Sequence, residues 1–189
     1  RIGRFAGIRR FRKHGKRIKM TLRFYPKQKG HTSSDTDKLI LESLRYDSET
    51  HGRETAVPVS SVRVLRTENG KPYLESGFPA LGVTHSDSVV IIALHDTPFG
   101  IDCEDIGRRI PHLDALCKRF FSKAEQAFVE NGPESEKEHR FLEVWVKKEA
   151  YVKYTGDGLQ SLSDTDTTAL PGHFENRSDE KHILYLYYP

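Results

Sequence analysis

Two acidic clusters hold the residues best suited to chemistry. The first is Phe99-Gly-Ile-Asp-Cys-Glu-Asp-Ile106, a short apolar strand signal ending in three carboxylates. The second is Trp145-Val-Lys-Lys-Glu-Ala-Tyr-Val-Lys-Tyr-Thr-Gly-Asp-Gly158, a helical segment that runs into glycines. Asp102 and Glu104 are two apart, so on a strand they share a face. Glu149 and Lys153 are four apart, so on a helix they stack on one side. If the two elements meet, three carboxylates and an ammonium converge. Such a set suits a hard, oxygen-liganded cation, Mg²⁺ first, that holds a phosphate.

The elements that must position these groups are legible from periodicity. Thr21–Tyr25 alternates and reads as a strand. Ser34–Asp37 reads as a cap for a short amphipathic helix over Lys38–Leu44, followed by a charged loop over 47–54. A strand is expected in Ser61–Arg66, a turn at Glu68–Lys71 and a buried strand at Ser88–Leu94. The turn at His95–Pro98 predicts a hairpin between that strand and Phe99–Cys103. Helices are expected at Leu113–Phe121, at Lys123–Val129 after a Ser122 cap, and at about Glu136–Tyr154. Leu142, Trp145, Glu149 and Val152 share one stripe of the last helix, which puts Glu149 on or beside its buried face. A free carboxylate there calls for a partner or a metal. Ser161–Glu180 reads as polar loop, and His182–Tyr188 as a closing strand.

Bulk properties narrow the classes. The chain has 189 residues, 36% apolar and 30% charged, as in an ordinary globular protein. No apolar run approaches membrane-spanning length, so no membrane partner is expected. Cys103 and Cys117 are the only cysteines and form no zinc-type pair, so a reducing, cytoplasmic setting is the expectation. Residues 1–20 carry nine Lys/Arg and no acid, leaving 21 basic against 27 acidic residues in the rest, a net of −6. A basic arm of this kind can bind nucleic acid or a phosphate-rich ligand. The preferred reading is an incidental or disordered extension over residues 1–19, with Met20, the only methionine, as the natural start.

Five segments occur in order: Gly70-Lys-Pro-Tyr73, Val83-Thr-His-Ser86, Gly100-Ile-Asp-Cys-Glu104, Arg119-Phe-Phe-Ser-Lys-Ala-Glu125 and Trp145-Val-Lys-Lys-Glu-Ala-Tyr-Val-Lys153. Together they resemble the 4'-phosphopantetheinyl transferase superfamily, surfactin-type branch. The last two are the most specific. The resemblance implies an α/β (α+β) fold of two pseudo-twofold lobes, each an antiparallel sheet on a long helix, with the site at their cleft. Residues 20–80 would form a shortened N-terminal lobe and 81–189 the C-terminal catalytic lobe. It implies Mg²⁺-dependent transfer of phosphopantetheine from coenzyme A to a serine of an apo acyl or peptidyl carrier protein, releasing 3',5'-ADP.

Carried over by motif, Asp102, Glu104 and Glu149 would ligate Mg²⁺. Glu149 would also act as base for the carrier serine, and Lys153 would neutralise the leaving phosphate. Lys71, Thr84, His85 and Lys148 would contact coenzyme A phosphates. Trp145 and Cys103 are read as packing residues. Gly82 and Thr84 stand where the family pattern has Asn and Ser. The 3'-phosphate contacts of the first lobe have only candidates here: Lys27, Lys29, His31 and Lys38. Two rivals are a coenzyme A-binding protein of the same fold with weak or no turnover, and a metal-dependent nuclease using the same carboxylates. A Lys two residues past the strand Glu, part of one common nuclease pattern, is replaced here by Ile106. Nucleic acid is therefore not the expected partner.

Overall fold

The computed structural model describes residues 11–13, 16–18, 20–52, 57–75 and 78–189. The chain divides into two units, one ending at Pro98 and one running from Phe99 to Pro189. In the first, β1 (Phe11–Lys13) and β2 (Lys16–Ile18) pair antiparallel. The rest of the basic extension, with the expectation of disorder placed on it, lies outside the described residues. β3 (Met20–Pro26), β6 (Ala80–His85) and β7 (Val89–His95) form an antiparallel sheet in the order β3-β7-β6. Between them come α1 (Ser33–His51) and a small hairpin of β4 (Leu65–Arg66) and β5 (Pro72–Tyr73). β7 is buried at all seven positions, as a central strand should be, and this explains its unbroken apolar run. Ile40 and Leu44 of α1 pack with Val90, Ile92 and Leu94 of β7.

Three sequence expectations need correction in this unit. α1 is far longer than Lys38–Leu44. It starts from a capping box between Thr32 and Asp35 and continues through Asp47. The acid that reads as loop is fully buried, accepting the Thr21 hydroxyl at 2.5 Å and facing His51 at 3.0 Å. The strand expected at Ser61–Arg66 is a 3₁₀ turn at Val59–Ser61 followed by the two-residue β4. The hairpin expected from β7 into the next strand does not form: both edges of β7 are taken, by β3 and β6.

The second unit begins with β8 (Gly100–Asp105), followed by α2 (Leu113–Phe120), α3 (Lys123–Glu130) and α4 (Lys137–Thr155). It ends with β9 (His173–Asn176) and β10 (His182–Tyr188). β9 falls inside the stretch read as polar loop. The sheet order is β8-β10-β9, all antiparallel. Each unit therefore repeats one plan: a strand, a 19-residue helix, then two strands of which the last lies in the middle of the sheet. The sequence division at 80/81 falls at 98/99 in the structure, because β6 and β7 complete the first sheet. Among the described residues no helix is long and apolar enough to cross a membrane.

α4 covers the sheet through Phe141, Leu142, Val144 and Val146, which share a core with Ile183, Tyr185, Phe121 and Val129. Its closest approach is to β8 at Gly100. A Cβ there would stand 1.8 Å from the Ala150 carbonyl oxygen and 2.9 Å from Tyr154 Cβ. Glycine on the strand, and a methyl rather than a longer side chain at 150 on the helix, allow the two backbones to touch. Gly100→Ala should force strand and helix apart and cost about 1–3 kcal/mol, the usual range for overpacking. Urea unfolding followed by circular dichroism checks this, and an unchanged midpoint would contradict the contact.

Candidate active site

The contact at Gly100 aligns the chemistry. Gly100, Asp102 and Glu104 alternate onto the face of β8 that α4 covers, while Glu149 and Lys153 flank Ala150 on the helix. Asp102 is 2% exposed, and its Oδ1 accepts a hydrogen bond from Lys153 Nζ at 2.5 Å. The same ammonium is 4.0 Å from Glu149 Oε2. Glu104, near the mouth of the strand, receives Arg108 Nη1 at 2.8 Å. Trp145 stands one turn before Glu149 on α4. Its ring stacks on Phe141 and meets Phe120 edge-on.

The electrostatics follow from crowding. Burial, then repulsion from Asp102, pushes the Glu149 carboxyl up to about 7 despite the attraction of Lys153. Burial likewise raises Glu104, with Arg108 opposing it. Burial pulls the Lys153 ammonium down, but Asp102 and Glu149 outweigh it and hold it above the usual lysine range. A site that keeps carboxylates short of charge balance suits added positive charge. The donors are all hard oxygens, which fits a Mg²⁺-type cation. Among the described residues, no group of three or more His, Cys, Asp or Glu stands gathered as it would around a bound metal. Lys153 lies between Asp102 and Glu149, and Arg108 lies on Glu104. Cys103 is buried and its thiol is pushed far up, chiefly by burial, so it offers no thiolate.

Lys148 requires a correction. The resemblance assigns it to a coenzyme A phosphate, but its side chain has no exposed surface. Its Nζ meets Glu125 Oε2 at 2.7 Å and also donates to the Thr165 carbonyl. Glu125 is equally buried and fully engaged. Oε2 also accepts Ser122 N–H at 2.7 Å in the capping box of α3. Oε1 accepts the Thr167 N–H and hydroxyl, each at 2.8 Å. Glu125 therefore ties α3, α4 and the Thr165–Thr167 segment together beside Glu149. The Ser-x-x-Glu spacing announces the cap. Nothing local announces the lysine 23 residues later.

The other predicted phosphate contacts lie in the first unit. Thr84 is buried and His85 exposed, as alternation along β6 requires. Lys71 is half-buried, and burial lowers its ammonium. Among the candidates for the 3'-phosphate, Lys27 stands nearest His85: Nζ is 3.5 Å from His85 Nδ1 and donates to the Ser86 carbonyl at 2.8 Å. Lys38 is engaged with Asp35, and His31 with Thr36.

Comparison with known proteins finds a family match over the second unit. Residues 98–185 match the model of the 4'-phosphopantetheinyl transferase superfamily. That stretch contains β8, α4 and three of the five motif segments. The chain is similar to the 4'-phosphopantetheinyl transferase HetI of Nostoc sp., 35% identical over 125 residues, covering 64% of this chain and 52% of that protein. It is also similar to the 4'-phosphopantetheinyl transferase Sfp of Bacillus subtilis, 30% identical over 149 residues, covering 78% and 62%. A third relative, psf-1 of Bacillus pumilus, is 36% identical over 107 residues, 55% of this chain and 44% of its own length. The chain thus spans about half the length of the curated relatives it matches.

The buried pair generates a stability test. Glu125→Ala leaves Lys148 as an uncompensated charge in the core and should cost about 3–5 kcal/mol. Exchanging both partners, Glu125→Gln with Lys148→Met, should cost clearly less than Glu125→Ala. Chemical denaturation of the two variants decides it. Equal losses would mean that the pair is not the buried clasp described.

Proposed function

We propose that this chain, whose residues 98–185 match the 4'-phosphopantetheinyl transferase superfamily, transfers phosphopantetheine from coenzyme A to a carrier protein. The acceptor is the serine hydroxyl of an apo acyl or peptidyl carrier protein. The serine oxygen attacks the pyrophosphate phosphorus that bears the pantetheine arm. The bond from that phosphorus to the bridging oxygen breaks, and 3',5'-ADP leaves. Asp102, Glu104 and Glu149 would hold Mg²⁺, which offsets the negative charge building on the diphosphate when bound.

The chain's own residues supply the rest. A serine hydroxyl is a weak nucleophile and needs a base. Glu149, whose proton affinity burial and Asp102 raise to about neutrality, suits that task. Lys153, held charged by Asp102 and Glu149, suits the leaving phosphate. In the first unit, the exposed Lys27–His85 pair offers two groups for a phosphate of coenzyme A, with Lys71 as a further contact. Lys148 drops out of that list. The observation that carries this reading is the meeting of Asp102, Glu149 and Lys153 on facing elements, within the stretch that matches the family.

The direct test is intact-mass spectrometry of a generic apo carrier protein incubated with the chain, coenzyme A and Mg²⁺. The carrier should gain the phosphopantetheine mass, with 3',5'-ADP released. Glu149→Gln should slow this by at least ~100-fold, the lower range for loss of a general base, with its unfolding midpoint preserved. No mass gain with the unmodified chain, or normal turnover by Glu149→Gln, would sink the proposal.

A further inference from the structure

Glu104 and Arg108 form an ion pair that no family motif accounts for. Arg108 follows a turn in which Gly107 has φ 81°, and its side chain folds back so that Nη1 lies 2.8 Å from Glu104 Oε2. The exposures are unequal, 39% for the arginine and 15% for the carboxylate. A carboxylate that sheltered loses hydration, and the Arg108 guanidinium in contact with it relieves its charge. A divalent cation bound to Glu104 would take over that relief and would repel a guanidinium placed against the same oxygens.

We propose that Arg108 is the counter-ion that holds Glu104 in the metal-free protein and competes with the divalent cation for it, so that this arginine sets the metal affinity. The inference rests on the reading of Glu104 as a metal ligand and deepens it. Lys153 is carried on α4, and its direct partners are Asp102 and Glu149 rather than Glu104. Arg108 sits on an exposed loop and can swing into solvent when the cation arrives. Arg109 beside it is equally a surface arginine but has no part in the Glu104 contact, which makes it the internal control.

The test is a titration of the full chain with Mg²⁺ alone, and with Mn²⁺ alone, by calorimetry and by fluorescence of Trp145. That residue is the only tryptophan, and it stands one turn from Glu149 on α4. Arg108→Ala should bind the cation tighter by roughly two- to fivefold at low ionic strength, the scale of a partly exposed ion pair. The gap should narrow at high salt. Arg108→Lys should stay near the unmodified chain, and so should Arg109→Ala. An unchanged or weaker affinity in Arg108→Ala overturns the proposal while leaving the metal reading in place. An equal tightening in Arg109→Ala also overturns it, since general charge then explains the effect. If the unmodified chain and Arg108→Ala both fail to respond to either cation, the metal reading itself falls, and this proposal with it.

Discussion

The rest of the second unit depends on backbone contact between β8 and α4 at Gly100 and Ala150. Without a side chain at 100, the helix settles against the strand closely enough for Lys153 to reach Asp102 and for Glu149 to feel its charge. Every unusual property of the cluster follows from that distance. Carboxylates brought together in a sheltered place resist ionisation, and an ammonium between them is held charged. Stability and chemistry pull in opposite directions here. The crowding that raises the proton affinity of Glu149 is a cost to folding above its ordinary titration range. A carboxyl raised from 4.5 to about 7 favours the folded state while protonated, and that contribution is lost as pH rises through 7.

The surrounding structure offsets this cost with a second, fully balanced polar assembly. Lys148 and Glu125 are as buried as any core residue, yet their hydrogen bonds tie them to Ser122, Thr165 and Thr167. Because Lys148 directly precedes Glu149, the pair fixes the rotation of α4 on one side while Trp145 packs one turn below Glu149 on the other. The first unit repeats the plan of strand, long helix and two strands without the cluster. There, Thr21 on the first strand meets Asp47 on the helix. The same frame carries a hydroxyl–carboxylate link in one half and an ammonium–carboxylate link in the other.

The meeting of Asp102, Glu149 and Lys153 was legible because their spacing obeys local geometry. Asp102 and Glu104 at period two, and Glu149 and Lys153 at period four, needed only the right elements, which the apolar pattern supplied. The long helix and its glycine stop were equally plain. What was not legible depended on partners distant in sequence. Lys148 stands in a motif full of basic residues and reads as a phosphate ligand until Glu125 is found against it. Asp47 reads as loop because an acid in a charged stretch does not announce the buried hydroxyl of Thr21. β8 reads as the hairpin partner of β7 because they are adjacent in sequence, whereas β3 and β6 already occupy both of its edges. β9 is short and polar enough to pass for loop until β10 pairs with it.

The central claim is that Asp102 and Glu149 share one sheltered electrostatic site. Carboxyl-selective ¹³C NMR of the metal-free protein, titrated from pH 4 to 9, measures this directly. The Glu149 resonance should titrate near 7, and in Asp102→Asn it should move down toward the ordinary 4.5, because the repelling charge is gone and Lys153 is left to Glu149. A Glu149 that titrates near 4.5 in the unmodified chain, or one that ignores the Asp102 substitution, would mean that strand and helix do not bring their carboxylates together.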